Sequence, residues 1–239
     1  MSRHPLNKSS VDELPKCRSL IYKALTQPSP GGRGLSQNFH MMKTWLLLMV
    51  LLVGCGSGIP KLKPLPPDAV ILAFGDSLTY GTGATAEESY PAVLQTLVGR
   101  TVIRSGIPGE ATAESLQRLP DVLDEFSPKL MILCIGGNDF LRQLGEQQAA
   151  DNIRAMIKLA KEKGMDVVLV GVPKFGLMLS PPTFYREIAA EFAIPYDDGI
   201  MRKVLLSPDL KSDEIHPNAK GYRLFAETVA NLLKKAGAI

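Results

Sequence analysis

One alternation limits this chain to a small set of folds: short apolar runs take turns with stretches whose apolar residues recur at helical spacing. The runs are Ala69–Phe74, Thr101–Ile103, Leu130–Ile135 and Asp166–Val172, with Ile194–Tyr196 as a possible fifth. Runs of this length, bounded by glycine or polar residues, read as buried strands. Ser89–Val98, Thr112–Phe126, Gln147–Lys163, Phe184–Phe192 and Ala219–Lys235 carry helical patterns. Leu116, Leu119, Val122, Leu123 and Phe126 share one face of the second of these, and Ile153, Met156, Ile157 and Ala160 one face of the third. Gly164 supplies a stop signal, and Pro217 lies near the start of the last helix. Strands without a polar face, alternating with one-faced helices, predict an α/β fold with a mainly five-stranded parallel sheet covered on both sides. Ligands of such sheets collect beyond the carboxyl ends of the strands. The chemistry therefore belongs in the loops that follow the strands.

The segment before this pattern has a different character. Met41-Met42-Lys43-Thr44 precedes the apolar run Trp45–Val53 and then Gly54-Cys55-Gly56-Ser57-Gly58. One charge, a short apolar stretch and small residues make a secretory signal over 41–54. The run is shorter than the ~20 residues a membrane-spanning helix needs. Leu52-Val53-Gly54-Cys55 resembles a bacterial lipobox, and that resemblance implies cleavage before Cys55 and its lipidation, with the membrane as a partner through the lipid anchor. Residues 1–40, with the low-complexity stretch Gln27–Gly34, are expected to be an upstream extension, with translation starting at Met41 or Met42. Residues 55–67 read as a flexible tether, and 68–239 as the folded domain.

Charge and cysteines exclude some functions. The chain carries 27 basic and 24 acidic residues, but 7 of the basic and only 2 of the acidic ones precede Cys55. The domain is therefore slightly acidic and has no nucleic-acid footprint. The three cysteines form no disulfide framework: Cys17 and Cys55 lie in the leader region, and Cys134 sits in an apolar run where a buried thiol is expected. His216 is the single histidine downstream of the leader, since the other two are His4 and His40. That excludes a metal site built on several histidines, and no cysteine cluster replaces it. No phosphate loop or dinucleotide glycine fingerprint is present, so no cofactor is expected.

Histidine chemistry must then run through His216, in Asp213-Glu214-Ile215-His216-Pro217. A short turn can set the Asp213 carboxylate beside the imidazole, the partner a base needs to fix its tautomer. Alone, this spacing describes a surface histidine equally well. Ser77 closes the first strand in Gly75-Asp76-Ser77-Leu78, where a nucleophile can be exposed; a plain turn would look the same. The surrounding residues are not the Gly-x-Ser-x-Gly elbow. Gly106-Ile107-Pro108-Gly109-Glu110 follows the second strand and Gly136-Gly137-Asn138-Asp139 the third. A glycine N–H and an asparagine side chain are suitable donors to a developing oxyanion.

Taken together, Gly75-Asp76-Ser77-Leu78, Pro108-Gly109-Glu110, Gly137-Asn138-Asp139 and Asp213-x-x-His216-Pro217 occur in the order found in GDSL (SGNH) hydrolases. From Ala69 to about Leu233 the chain resembles that family. It looks closest to the periplasmic thioesterase/lysophospholipase and arylesterase branch, through Gly109–Thr112 and Leu116–Pro120. The resemblance implies a three-layer α/β/α sandwich of SGNH, flavodoxin-like type. It implies Ser77 as nucleophile, His216 as base and Asp213 as the residue orienting the base. It assigns the Ser77 N–H, the Gly109 N–H and the Asn138 side chain to the oxyanion hole. Gly106 is a competing alignment for the second block, and the acidic residue after Gly109 favours the latter. Arg104-Ser105 departs from the Asn-Ala of many relatives, which leaves open what supports this loop.

The expected activity is hydrolysis of esters or thioesters through an acyl-enzyme. The substrate is expected to be a small acyl ester or lipid, and the protein a monomer. It is expected to sit in the cell envelope, at the periplasmic face of the outer membrane where the source has one. Phe140, Leu141, Leu144 and the loop Phe175–Pro182, with Leu177, Met178 and Leu179, are candidates to line an acyl channel or simply to pack the core. A carbohydrate O-acetylesterase and a non-catalytic envelope lipoprotein are the alternatives.

Overall fold

A computed structural model describes residues 58–174 and 179–239. The readings placed on 1–40, 41–54 and Cys55, and those on Leu177 and Met178, lie outside the described residues. The elements run β1 (Val70–Gly75), α1 (Ser77–Tyr80), α2 (Tyr90–Val98), β2 (Thr101–Gly106), α3 (Thr112–Phe126), β3 (Leu130–Cys134) and α4 (Gly137–Leu141). They continue with α5 (Glu146–Glu162), β4 (Asp166–Val170), α6 (Thr183–Glu191), β5 (Tyr196–Asp197), α7 (Ile200–Leu206), a 3₁₀ turn at Pro208–Leu210 and α8 (Ala219–Ala236). The five strands form one parallel sheet in the order β2-β1-β3-β4-β5.

The apolar runs become strands because both sheet faces are covered. Every residue of β3 is buried, as are all but the first of β1 and β4. The helices between the strands cover the sheet: α2 packs with α8 on one face, and α3 with α5 on the other. The Tyr90 and Phe225 rings stack at 4.3 Å between α2 and α8. Capping fixes the helix ends. Asn218 accepts the Gly221 N–H at 3.1 Å at the start of α8, and Glu114 reaches back to the Ala111 N–H at 2.8 Å before α3. Cys134 is a buried free thiol.

The segment read as a flexible tether is bound to the domain over Ile59–Pro67. Leu62 and Leu65 are buried in the core. The Leu62 N–H donates to Ala236 O at 3.0 Å and the Leu65 N–H to Ala238 O at 2.8 Å. The Lys63 N–H donates to Asp166 Oδ2 at 3.0 Å, and Arg100 donates to the carbonyls of Leu65 and Pro66. Its glycine- and proline-rich composition reads as a flexible, partly extended tether. It is extended, but its two leucines fill a groove beside the end of α8. This strap enters at the amino-terminal edge of the sheet, opposite the loops that carry the chemistry.

Emptying one strap pocket should loosen the fold without touching catalysis. Leu62→Ala is expected to cost about 2 kcal/mol, read as a lower urea midpoint, with turnover unchanged. An unchanged midpoint would show that the strap contributes nothing to stability.

Candidate active site

The strand order changes direction at β1, which leads out to β2 on one side and to β3 on the other. Loops diverge at such a switch point and leave a crevice. Ser77 stands there, on the first turn of α1. The turn is held by Asp76, whose Oδ1 accepts the Leu78 N–H at 3.0 Å.

His216 reaches the crevice from the far end of the chain. Its loop is tied by the Ser212 N–H to His216 O at 2.9 Å and by Asn218 Nδ2 to the carbonyls of Asp209 and Lys211. The Tyr222 hydroxyl of α8 donates to Thr82 O at 2.8 Å, which fastens the stretch after α1 to the helix following His216. His216 Nε2 lies 2.9 Å from Ser77 Oγ, and His216 Nδ1 lies 2.8 Å from Asp213 Oδ2. Asp213 Oδ1 accepts the N–H groups of Ile215 and His216, both at 2.8 Å. Partial burial alone would raise the Asp213 carboxyl. Those two N–H bonds and the imidazole outweigh it and hold the group below its ordinary value. The structure thus brings Ser77, His216 and Asp213 into one relay.

The two other loops lie beside it. Asn138 on α4 lines the same cleft as Ser77 and His216. Its Nδ2 donates to Glu110 O at 3.0 Å. A side-chain amide has two N–H bonds, so one remains for a ligand. Gly106 and Gly109 now separate. Gly106 ends β2 pressed against α1, where an added Cβ would lie 2.2 Å from the Tyr80 nitrogen. Gly109 lies beyond it at φ +82°, a region that favours glycine. Neither the Ser77 N–H nor the Gly109 N–H donates a hydrogen bond among the described residues.

Three buried carboxyls surround this corner. Asp139 accepts the Thr112 N–H at 2.9 Å and the Thr112 hydroxyl at 2.6 Å, at the amino end of α3. Glu110 pairs with Arg118 at 2.7 Å. Asp76 pairs with no cation among the described residues. Burial pushes its carboxyl up to about 7, against the Leu78 N–H bond and with help from the charges of Asp139 and Glu110. The departure at Arg104-Ser105 also finds its reason. Arg104 donates to Tyr80 O at 2.8 Å and lies over the Tyr80 ring, and Ser105 Oγ accepts from Arg118 at 2.8 Å.

The cleft beside Ser77 is small and opens to solvent. Leu78, Phe140, Leu141, Val172, Met201 and Leu205 make its apolar wall. Phe140 and Leu141 were expected there. Leu144 is instead exposed and off the cleft wall, and Leu179 packs against the core. Met201 and Leu205 on α7 were missed, although Ile200, Met201, Val204 and Leu205 follow helical spacing and are buried along one side.

The sequence model of the GDSL-like lipase/acylhydrolase family matches residues 73–224. The chain is 31% identical to the arylesterase of Vibrio mimicus over 69% of this chain and 88% of that protein. It is 26% identical to thioesterase 1/protease 1/lysophospholipase L1 of Escherichia coli (strain K12), over 82% of this chain and 96% of that protein. The psychrotrophic esterase EstA from Pseudoalteromonas sp. superposes with a TM-score of 0.64 at 24% identity, over 70% of this chain and 98% of that one. The last likeness supports the fold.

Asp76 makes stability depend on pH. Its folded value stands above the ordinary 3.8, so the folded state favours the neutral acid. That contribution is complete below pH about 4 and is lost as pH rises towards 7. The stability of Asp76→Asn relative to wild type should therefore climb between pH 4 and about 7 and then level off. Urea unfolding across that window measures it. A constant difference would mean that Asp76 is as ionised in the folded chain as in the unfolded one.

Proposed function

The chain belongs to the GDSL-like lipase/acylhydrolase family, and from that premise we propose that it hydrolyses carboxylic esters and thioesters through an acyl-enzyme on Ser77. The observation that carries this reading is the 2.9 Å contact of Ser77 Oγ with His216 Nε2, backed by Asp213, at the edge of an apolar cleft.

A serine hydroxyl is a weak nucleophile until a base takes its proton. His216 Nε2 is placed to take it as Ser77 Oγ attacks the carbonyl. Asp213 holds the Nδ1 proton and stabilises the imidazolium that forms. Negative charge develops on the carbonyl oxygen, facing the Ser77 and Gly109 N–H groups and the free Asn138 N–H. His216 then gives its proton to the leaving alcohol or thiol. A water takes the vacated place and attacks the acyl carbonyl as His216 accepts its proton; His216 then returns that proton to Ser77 Oγ, and the acyl group leaves as a carboxylic acid.

The cleft wall sets the substrate class. Apolar side chains from α1, α4, α7 and the loop after β4 favour an acyl chain over a bare acetyl group. The arylesterase and thioesterase/lysophospholipase names of the relatives agree with acyl substrates. Lipidation at Cys55, with attachment to the envelope on the periplasmic side, remains part of this proposal on the strength of the Leu52–Cys55 motif.

Each additional buried methylene is worth about 0.8 kcal/mol, or roughly fourfold. kcat/KM for p-nitrophenyl octanoate should therefore exceed that for the acetate by at least tenfold. Leu205→Trp, which fills the wall, should erase most of that advantage while sparing acetate. A preference for acetate in the wild type would instead favour a deacetylase.

A further inference from the structure

Glu110 and Arg118 form a buried ion pair that the mechanism above does not use. The Glu110 side chain is 6% exposed and the Arg118 side chain 19%. Removing two charges from water costs several kcal/mol per ion unless the geometry repays it. An apolar pair could hold α3 against the sheet without that cost. The contacts show what the pair holds instead.

Arg118 extends from α3 and stacks on the Phe74 ring at 4.0 Å. Its Nε donates to both Glu110 oxygens, at 2.7 and 2.9 Å. Its Nη1 donates to Ser105 Oγ at 2.8 Å, and its Nη2 to the carbonyls of Gly75 and Ser105, both at 3.1 Å. One guanidinium thus bridges the end of β1, two residues before Ser77, the end of β2 and the loop beyond. Glu110 completes the link. Its carboxylate also accepts the Ser115 hydroxyl at 2.5 Å. Its backbone adjoins Gly109, and its carbonyl accepts Asn138 Nδ2 at 3.0 Å. Both oxyanion donors outside the nucleophile turn are therefore referred to one residue.

We propose that Glu110, clamped by Arg118, is the positioning residue of the oxyanion hole: it fixes the Gly109 peptide and the Asn138 amide relative to Ser77. The inference rests on the esterase reading. Glu110 touches no reacting atom; it acts through Gly109 and Asn138. Misplacement of a donor by about 1 Å can cost ~10²-fold in rate. Loosening Glu110 should therefore lower kcat and leave KM nearly unchanged.

The test is a double-mutant cycle on the full chain with a p-nitrophenyl ester. Glu110→Gln and Arg118→Met should each lower kcat by about 10–10²-fold, with KM within about threefold. Asn138→Ala should lower kcat ~10²–10³-fold. Glu110→Gln added to Asn138→Ala should lower kcat by less than it does alone, because the share of its effect that passes through that amide is already lost. Ser105→Ala, which removes only one Arg118 contact and spares both charges, should give a smaller fall in kcat of the same kind. It keeps the proposal testable if a charge variant fails to fold. Independent, multiplying losses, or losses that appear in KM alone, would overturn the positioning role while leaving the esterase reading intact. An inactive wild type would overturn both.

Discussion

The hydrogen bond between Ser77 Oγ and His216 Nε2 joins residues 139 positions apart, and most of the architecture can be understood as what holds it. Ser77 is placed by β1, second in the sheet and the strand at which the strand order changes direction. His216 is placed by the loop that leads into α8, which returns to pack beside α2 on the same face. Tyr90 and Phe225 stack between those two helices, and Tyr222 bonds to Thr82 just after the nucleophile turn. A parallel sheet lets two such distant ends meet, because every strand delivers its following loop to the same edge.

The corner that faces the proposed oxyanion contains three buried carboxyls, and each is accommodated differently. Glu110 meets a guanidinium. Asp139 meets the N–H and hydroxyl of Thr112 at a helix amino terminus, where negative charge is favoured. Asp76 accepts the Leu78 N–H and meets no cation among the described residues, and its burial moves it towards the neutral acid. A full charge beside Ser77 would oppose the charge that forms on the substrate oxygen. The arrangement keeps acidic side chains as hydrogen-bonding supports while limiting the repulsion they exert.

The sheet was legible in the sequence because its inner strands are apolar throughout. β3 begins where its apolar run begins, and α3 matches its expected span of Thr112–Phe126. β2 runs on to Gly106, past the expected Ile103. It is an edge strand whose outer half carries Arg104 and Ser105, so it lacks a continuous apolar signal. β5 has two residues and lies at Tyr196–Asp197, offset from the expected Ile194–Tyr196. α1 and α4 are too short to show a helical period. The triad residues were named by motif. Their supports were not, because the Glu110–Arg118 clamp and the docking of Leu62 and Leu65 depend on which elements become neighbours. The glycine and proline content of the strap reads as a flexible tether and says nothing about what its leucines meet.

Activation of the Ser77 hydroxyl by the His216 imidazole is tested directly by intact-mass spectrometry after treatment with a fluorophosphonate ester. One adduct is expected on wild type, located at Ser77 by peptide mapping, with labelling slowed by orders of magnitude in a folded His216→Ala variant. Labelling at the wild-type rate in that variant, or an adduct on another residue in the wild type, would contradict it.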